Sequence, residues 1–87
     1  METWPKTVEE AVETILSQMD EEGKQSLRST KQEDLINYHF GWGMAIRQAF
    51  GLWLGNTELL EDAGVCHPED ASMIIIEAVW KRVQQET

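Results

Sequence analysis

The chain has 87 residues, enough for one domain, and a domain of that length buries only somewhat over ~60% of its unfolded surface, so each large apolar side chain matters. Sixteen acidic against seven basic residues give a net charge of −9; with no Lys/Arg stripe to release counterions, direct nucleic-acid binding is not expected. The densest apolar run, Met73 to Ile76, falls far short of the ~20 residues that span a bilayer, and a lone Cys66 without a leader-like amino terminus fits a reducing cytoplasm.

Thr7 and Glu10 have capping-box spacing just after Pro5, and Val8, Ala11, Val12, Ile15, Leu16 and Met19 follow at helical spacing. A first helix is predicted from Val8 to Met19. Asp20 can cap a short second helix to about Arg28, weakened by Gly23 and anchored mainly by Leu27. Thr30 with Glu33 repeats the capping-box signature and predicts a central helix over residues 31–50. Gly51 and Gly55 bracket a turn, Asn56 or Thr57 starts a brief fourth helix, and Gly64 ends it. Pro68, with Glu69 and Asp70 at the positive end of the dipole, opens a long carboxy-terminal helix over residues 68–84. The expected fold is all-α, a single domain over residues 1–87 with about five helices packed around the central one.

On a projection of about 100° per residue, Ile36, Phe40, Gly43, Arg47 and Phe50 fall in a sector of about 80°, which puts Arg47 among core contacts. A guanidinium there needs acceptors for its donors. Asp70, Glu69 and Glu58 are candidates, as are the carbonyl ends of a neighbouring helix. Two readings stay open: a structural clamp between the central helix and the loop before the last one, or an anion-binding residue acting with His39, which lies eight positions and ~12 Å of helical rise away. Gly41 and Gly43 each cost roughly 1 kcal/mol in a helix interior, so they predict close approach by another backbone or by a ligand, close helix packing being the simpler cause. They do not form a phosphate loop, which needs a strand before it.

The opposite face of the central helix, Tyr38, Trp42, Ala45 and Ala49, is also largely apolar. The last helix carries two stripes as well, Ala71, Ile74, Ile75 and Ala78 against Met73, Ile76, Trp80 and Val83. Few helices are available to cover four faces, and leftover apolar surface marks interfaces. Tyr38, Trp42, Met73, Ile76 and Trp80 are therefore the candidate interface, for a protein partner or a second copy. Cys66 and His67 are adjacent but lack the further ligands of a zinc site, and no nucleophile has an identifiable base, so neither metal, cofactor nor catalysis is expected.

The run LINYHFGWGMAIRQAFGLWLGNTELL, followed by HPEDASMIIIEAVW, resembles a small bacterial family with the pattern LIxxHFGxGxxIRNxFGLWxGNxxLL and then HPDDASxxIIxxxW. The likeness covers most of residues 7–83. Gln48 stands where the pattern has Asn, and Glu69 where it has Asp. The resemblance implies no activity. It does imply that His39, Arg47, Asn56, His67 and Asp70 belong to a shared polar pattern, and these five are expected to meet in space. The leading expectation is a non-enzymatic, acidic interaction module, accessory or inhibitory in role; the alternative is a small-ligand or anion-binding domain using Arg47, His39 and helix amino termini.

Overall fold

Residues 4–38 and 41–85 are described by the computed structural model, and the signals at helix ends account for most of the element boundaries. Helix α1, Val8–Gln18, starts where extended Thr7 accepts the Glu10 amide on its hydroxyl at 3.1 Å. The Glu10 carboxylate reaches back to the amide of Lys6 at 2.9 Å, one residue beyond the usual capping-box partner. The amide of Val8 donates to an Asp62 carboxylate oxygen at 2.7 Å, so a free donor of the first turn becomes a tie to a later helix. Helix α2, Glu21–Arg28, is capped by Asp20, which accepts from the Gly23 amide at 2.7 Å, and it buries Leu27.

The continuous helix expected over residues 31–50 is instead two elements, a 3₁₀ helix Gln32–Tyr38 and α3, Trp42–Ala49. Both glycines that weaken a helix here lie at this junction, Gly41 as the cap of α3 and Gly43 in its first turn. Thr30 does not cap, because its groups are committed elsewhere. Its hydroxyl donates to the Ser26 carbonyl at 3.0 Å, and its carbonyl accepts the Trp80 indole N–H at 2.7 Å. Three residues per turn rather than 3.6 changes which side chains face inward. Leu35 is buried, whereas Ile36, expected inside, is 61% exposed. Met44, next to buried Gly43 in α3, is exposed as well. Phe40 and His39 lie outside the described residues.

The turn after α3 is built on Gly51 and Gly55 at φ 66° and 100°, values that L side chains rarely adopt. Asn56 then caps α4, Thr57–Ala63, which ends at left-handed Gly64. Helix α5, Pro68–Gln85, packs against α1, α2, α3, α4 and the 3₁₀ helix. The organising role expected of residues 31–50 thus belongs to α5. Its inward face is neither predicted stripe but the seam between them: Ala71, Ser72, Ile75, Ile76, Val79 and Val83 are all buried. Full burial of each Ile or Val there contributes about 1.5–3 kcal/mol. At the far end, the Arg28 Nε–H donates to the Val83 carbonyl at 3.0 Å and the Gln84 amide donates to the Arg28 carbonyl at 2.8 Å, closing α2 onto α5. The described residues thus form an all-α globule of six helices, five α and one 3₁₀.

Candidate functional site

Arg47 sits on the inner side of α3 and is 4% exposed. Its Nη1 donates to the Ser72 hydroxyl at 2.9 Å, and that hydroxyl donates in turn to the Glu69 carbonyl at 2.9 Å. The hydroxyl of α5 thus relays between a buried cation and the first turn of its own helix. Gly43 makes room for this contact: a Cβ there would stand 3.2 Å from Arg47 Nη1, 3.2 Å from the Tyr38 carbonyl oxygen and 3.5 Å from Ser72 Oγ. The close approach expected from the glycines therefore holds at Gly43. At Gly41 none of the described residues lies within 4 Å of the added carbon.

Asn56 is a second buried polar centre, 6% exposed. Its side-chain oxygen accepts the Leu59 amide at 3.4 Å, while its NH₂ donates to the carbonyls of Pro5 at 2.9 Å and Phe50 at 2.8 Å. One amide thereby holds the amino-terminal segment, the end of α3 and the start of α4. The Arg47 bond to Ser72 and the three Asn56 bonds share no residue, and His67 and Asp70 are exposed ahead of and within the first turn of α5. Asp70, proposed from charge as an acceptor for Arg47, faces outward because the buried side of α5 runs through positions 71, 72, 75 and 76. Ser72 was missed, although a lone hydroxyl at i, i+3, i+4, i+7 spacing with Ile75, Ile76 and Val79 is a readable signal. Among the described residues, no three His, Cys, Asp or Glu side chains are grouped to hold a metal ion.

An apolar groove opens on another side, between the end of α1, α2, the 3₁₀ helix and α3. One lobe, about 270 Å³, is lined by Ile15, Met19, Trp42, Ala45, Ala49 and Phe50, with Gln18 and Ile46. A second, about 210 Å³, is lined by Met19, Leu27, Tyr38 and Trp42, with Gly23 and Ser26. Met19 and Trp42 wall both lobes, and Tyr38 stands edge-on to Trp42 with ring centroids 5.5 Å apart. Of the predicted interface, Tyr38 and Trp42 belong to this groove. Ile76 is fully buried core, and Met73 and Trp80 are half-buried against that core. A further exposed apolar pair, Trp53 at 58% and Leu54 at 74%, projects from the turn between α3 and α4. The flanking glycines signalled the turn but not that its apolar middle points outward.

Fold and site together define a small all-α domain whose buried polar groups join its helices and whose open concave surface is apolar. The chain belongs to the family described as Domain of unknown function (DUF6794), whose model matches residues 4–83. No curated protein and no solved structure matches it. No helix among the described residues is long and apolar enough to cross a membrane.

Proposed function

We propose that this protein is a non-enzymatic interaction module, accessory or inhibitory in role, that binds a protein partner through the groove centred on Met19 and Trp42. The observation that carries the reading is the groove itself, a two-lobed apolar concavity walled by side chains of four helices. Concave apolar surface of this kind is where an amphipathic segment gains binding energy by leaving water. The alternative, an anion or small-ligand site built on Arg47 and His39, is less well supported, since Arg47 is buried and its Nη1 already meets a hydroxyl. Burial of that kind favours the clamp. A bacterial cytoplasmic setting belongs to the same reading and rests on the family pattern and the single cysteine.

The test is affinity capture from the native host with wild-type protein and with Ala45→Gln, which lays a long neutral side chain across the groove from an exposed position. A discrete partner retained by the wild type and lost by the variant, with unchanged circular dichroism, is the expected result. Capture that is indifferent to Ala45→Gln, or a thermal shift with phosphate or nucleotides that Arg47→Met abolishes, would turn the assignment elsewhere.

A further inference from the structure

Resting on that reading, the partner's chemistry follows from the charges around the groove. Met19 and Gly23, which both line it, bracket Asp20, Glu21 and Glu22, all three exposed at the start of α2. Three bases follow, half-buried Lys24 and Arg28 and exposed Lys31, so the local excess of acid comes from Glu33 and Asp34, both exposed on the 3₁₀ helix, together with the net charge of the whole molecule. Between Gln32 and Trp80 the sequence holds a single Lys or Arg, Arg47, and that residue is inside the protein. The acids of the same stretch are exposed, apart from half-buried Glu77. That stretch therefore offers solvent carboxylates and no guanidinium or ammonium group, on a molecule of net charge −9.

The shape narrows the occupant further. Ala45 and Ala49, one turn apart on α3 and both exposed, form a low floor beside Trp42 and Met19. Small side chains at that spacing let another helix come close, and the unbranched Met19 side chain can refit to the apolar group it meets. A second copy is disfavoured as occupant, because each copy brings the same negative field to the contact. We infer that the groove receives an amphipathic helix of a partner chain that carries Lys or Arg beside its apolar face. The acids would steer and orient that helix, while the groove supplies the apolar contact.

The experiment uses the full chain and three synthetic helical peptides with one shared Leu/Ala face and flanks of Lys, Gln or Glu, titrated by fluorescence anisotropy. The Lys peptide is expected to bind about tenfold tighter than the Gln peptide at low ionic strength, with the advantage largely lost near ~0.5 M salt. The double variant Glu21→Gln/Glu22→Gln should remove part of that advantage, and Ala45→Gln should weaken the Lys and Gln peptides alike. Equal binding of all three peptides, blocked by Ala45→Gln, overturns the charge inference and leaves the interaction reading standing. Binding of the Lys peptide that ignores Ala45→Gln overturns it as unspecific attraction. Failure of every peptide to bind overturns both, and groove-dependent dimers in sedimentation replace the basic partner with a second copy.

Discussion

Arg47 and Ser72 are a matched pair inside the protein, and each determines what the other costs when changed. Ser72→Ala leaves a buried guanidinium N–H facing a methyl group, a loss of about 1–3 kcal/mol that exceeds the gain from alanine's better helix propensity. Urea denaturation should show a lower midpoint at an unchanged slope. Arg47→Met keeps most of the volume and removes the charge, so the double variant Arg47→Met/Ser72→Ala should be more stable than the two separate losses predict. Asn56 gives a sharper case. Aspartate is as good a helix cap as asparagine on a surface, but here the NH₂ donates to two carbonyl oxygens. Asn56→Asp would set a carboxylate against both, so it should destabilise at least as much as Asn56→Ala, about 1–3 kcal/mol by thermal or urea unfolding. The interior position of Arg47 was legible from helical projection alone. Its acceptor was not, because charge drew attention to Asp70, which the rotation of α5 turns outward.

At the scale of the elements, the glycines separate into kinds that sequence does not distinguish. Gly43→Ala pushes a carbon against the Tyr38 carbonyl and the pinned guanidinium, so it should cost roughly 1–2 kcal/mol despite favouring the helix. Gly41→Ala meets none of the described residues within 4 Å and should stay within about 0.5 kcal/mol of wild type. Gly51→Ala combines a left-handed backbone with collision against the Trp4 indole, whereas Gly64→Ala has the backbone problem alone. Melting temperatures should therefore fall in the order Gly41, Gly64, Gly51, with the Gly64 change near 1–2 kcal/mol. The helix starts at Val8, Glu21, Thr57 and Pro68 were readable because caps and proline act locally. The break before α3 was not, since the Thr30 signal is overridden by contacts to Ser26 and to Trp80, a residue fifty positions away. Once that segment winds at three residues per turn, a projection drawn through it assigns Ile36 to the wrong side.

Over the whole molecule, α5 is the piece against which every other helix is placed. Truncation after Val79 removes the Trp80 bond to Thr30, the buried Val83 and both ties to Arg28. Such a chain should lose cooperative unfolding in a calorimeter, not just melt earlier. Tryptophan emission reports the same layout. Trp53 is 58% exposed, and Trp53→Phe should remove most of the fluorescence that acrylamide quenches while leaving the melting temperature within a few degrees of wild type. The all-α class and the long last helix were legible from periodicity. The groove was only half legible: its Tyr38, Trp42, Ala45 and Ala49 wall stood out as a surplus face, but the Ile15, Met19 and Leu27 wall read as ordinary core stripe.

The dominance of α5 also sets a timetable for biosynthesis. A ribosome moving at about 5–20 residues per second needs roughly one to four seconds to add the last eighteen residues of the described chain. Until then, α1 through α4 have no common scaffold, and Ala11, Val12, Ile15 and Leu59 are left to find temporary cover. Acquisition of the native state should thus wait until α5 has emerged from the ribosome, and the strong like-charge repulsion among neighbouring nascent chains would help keep them apart during that wait.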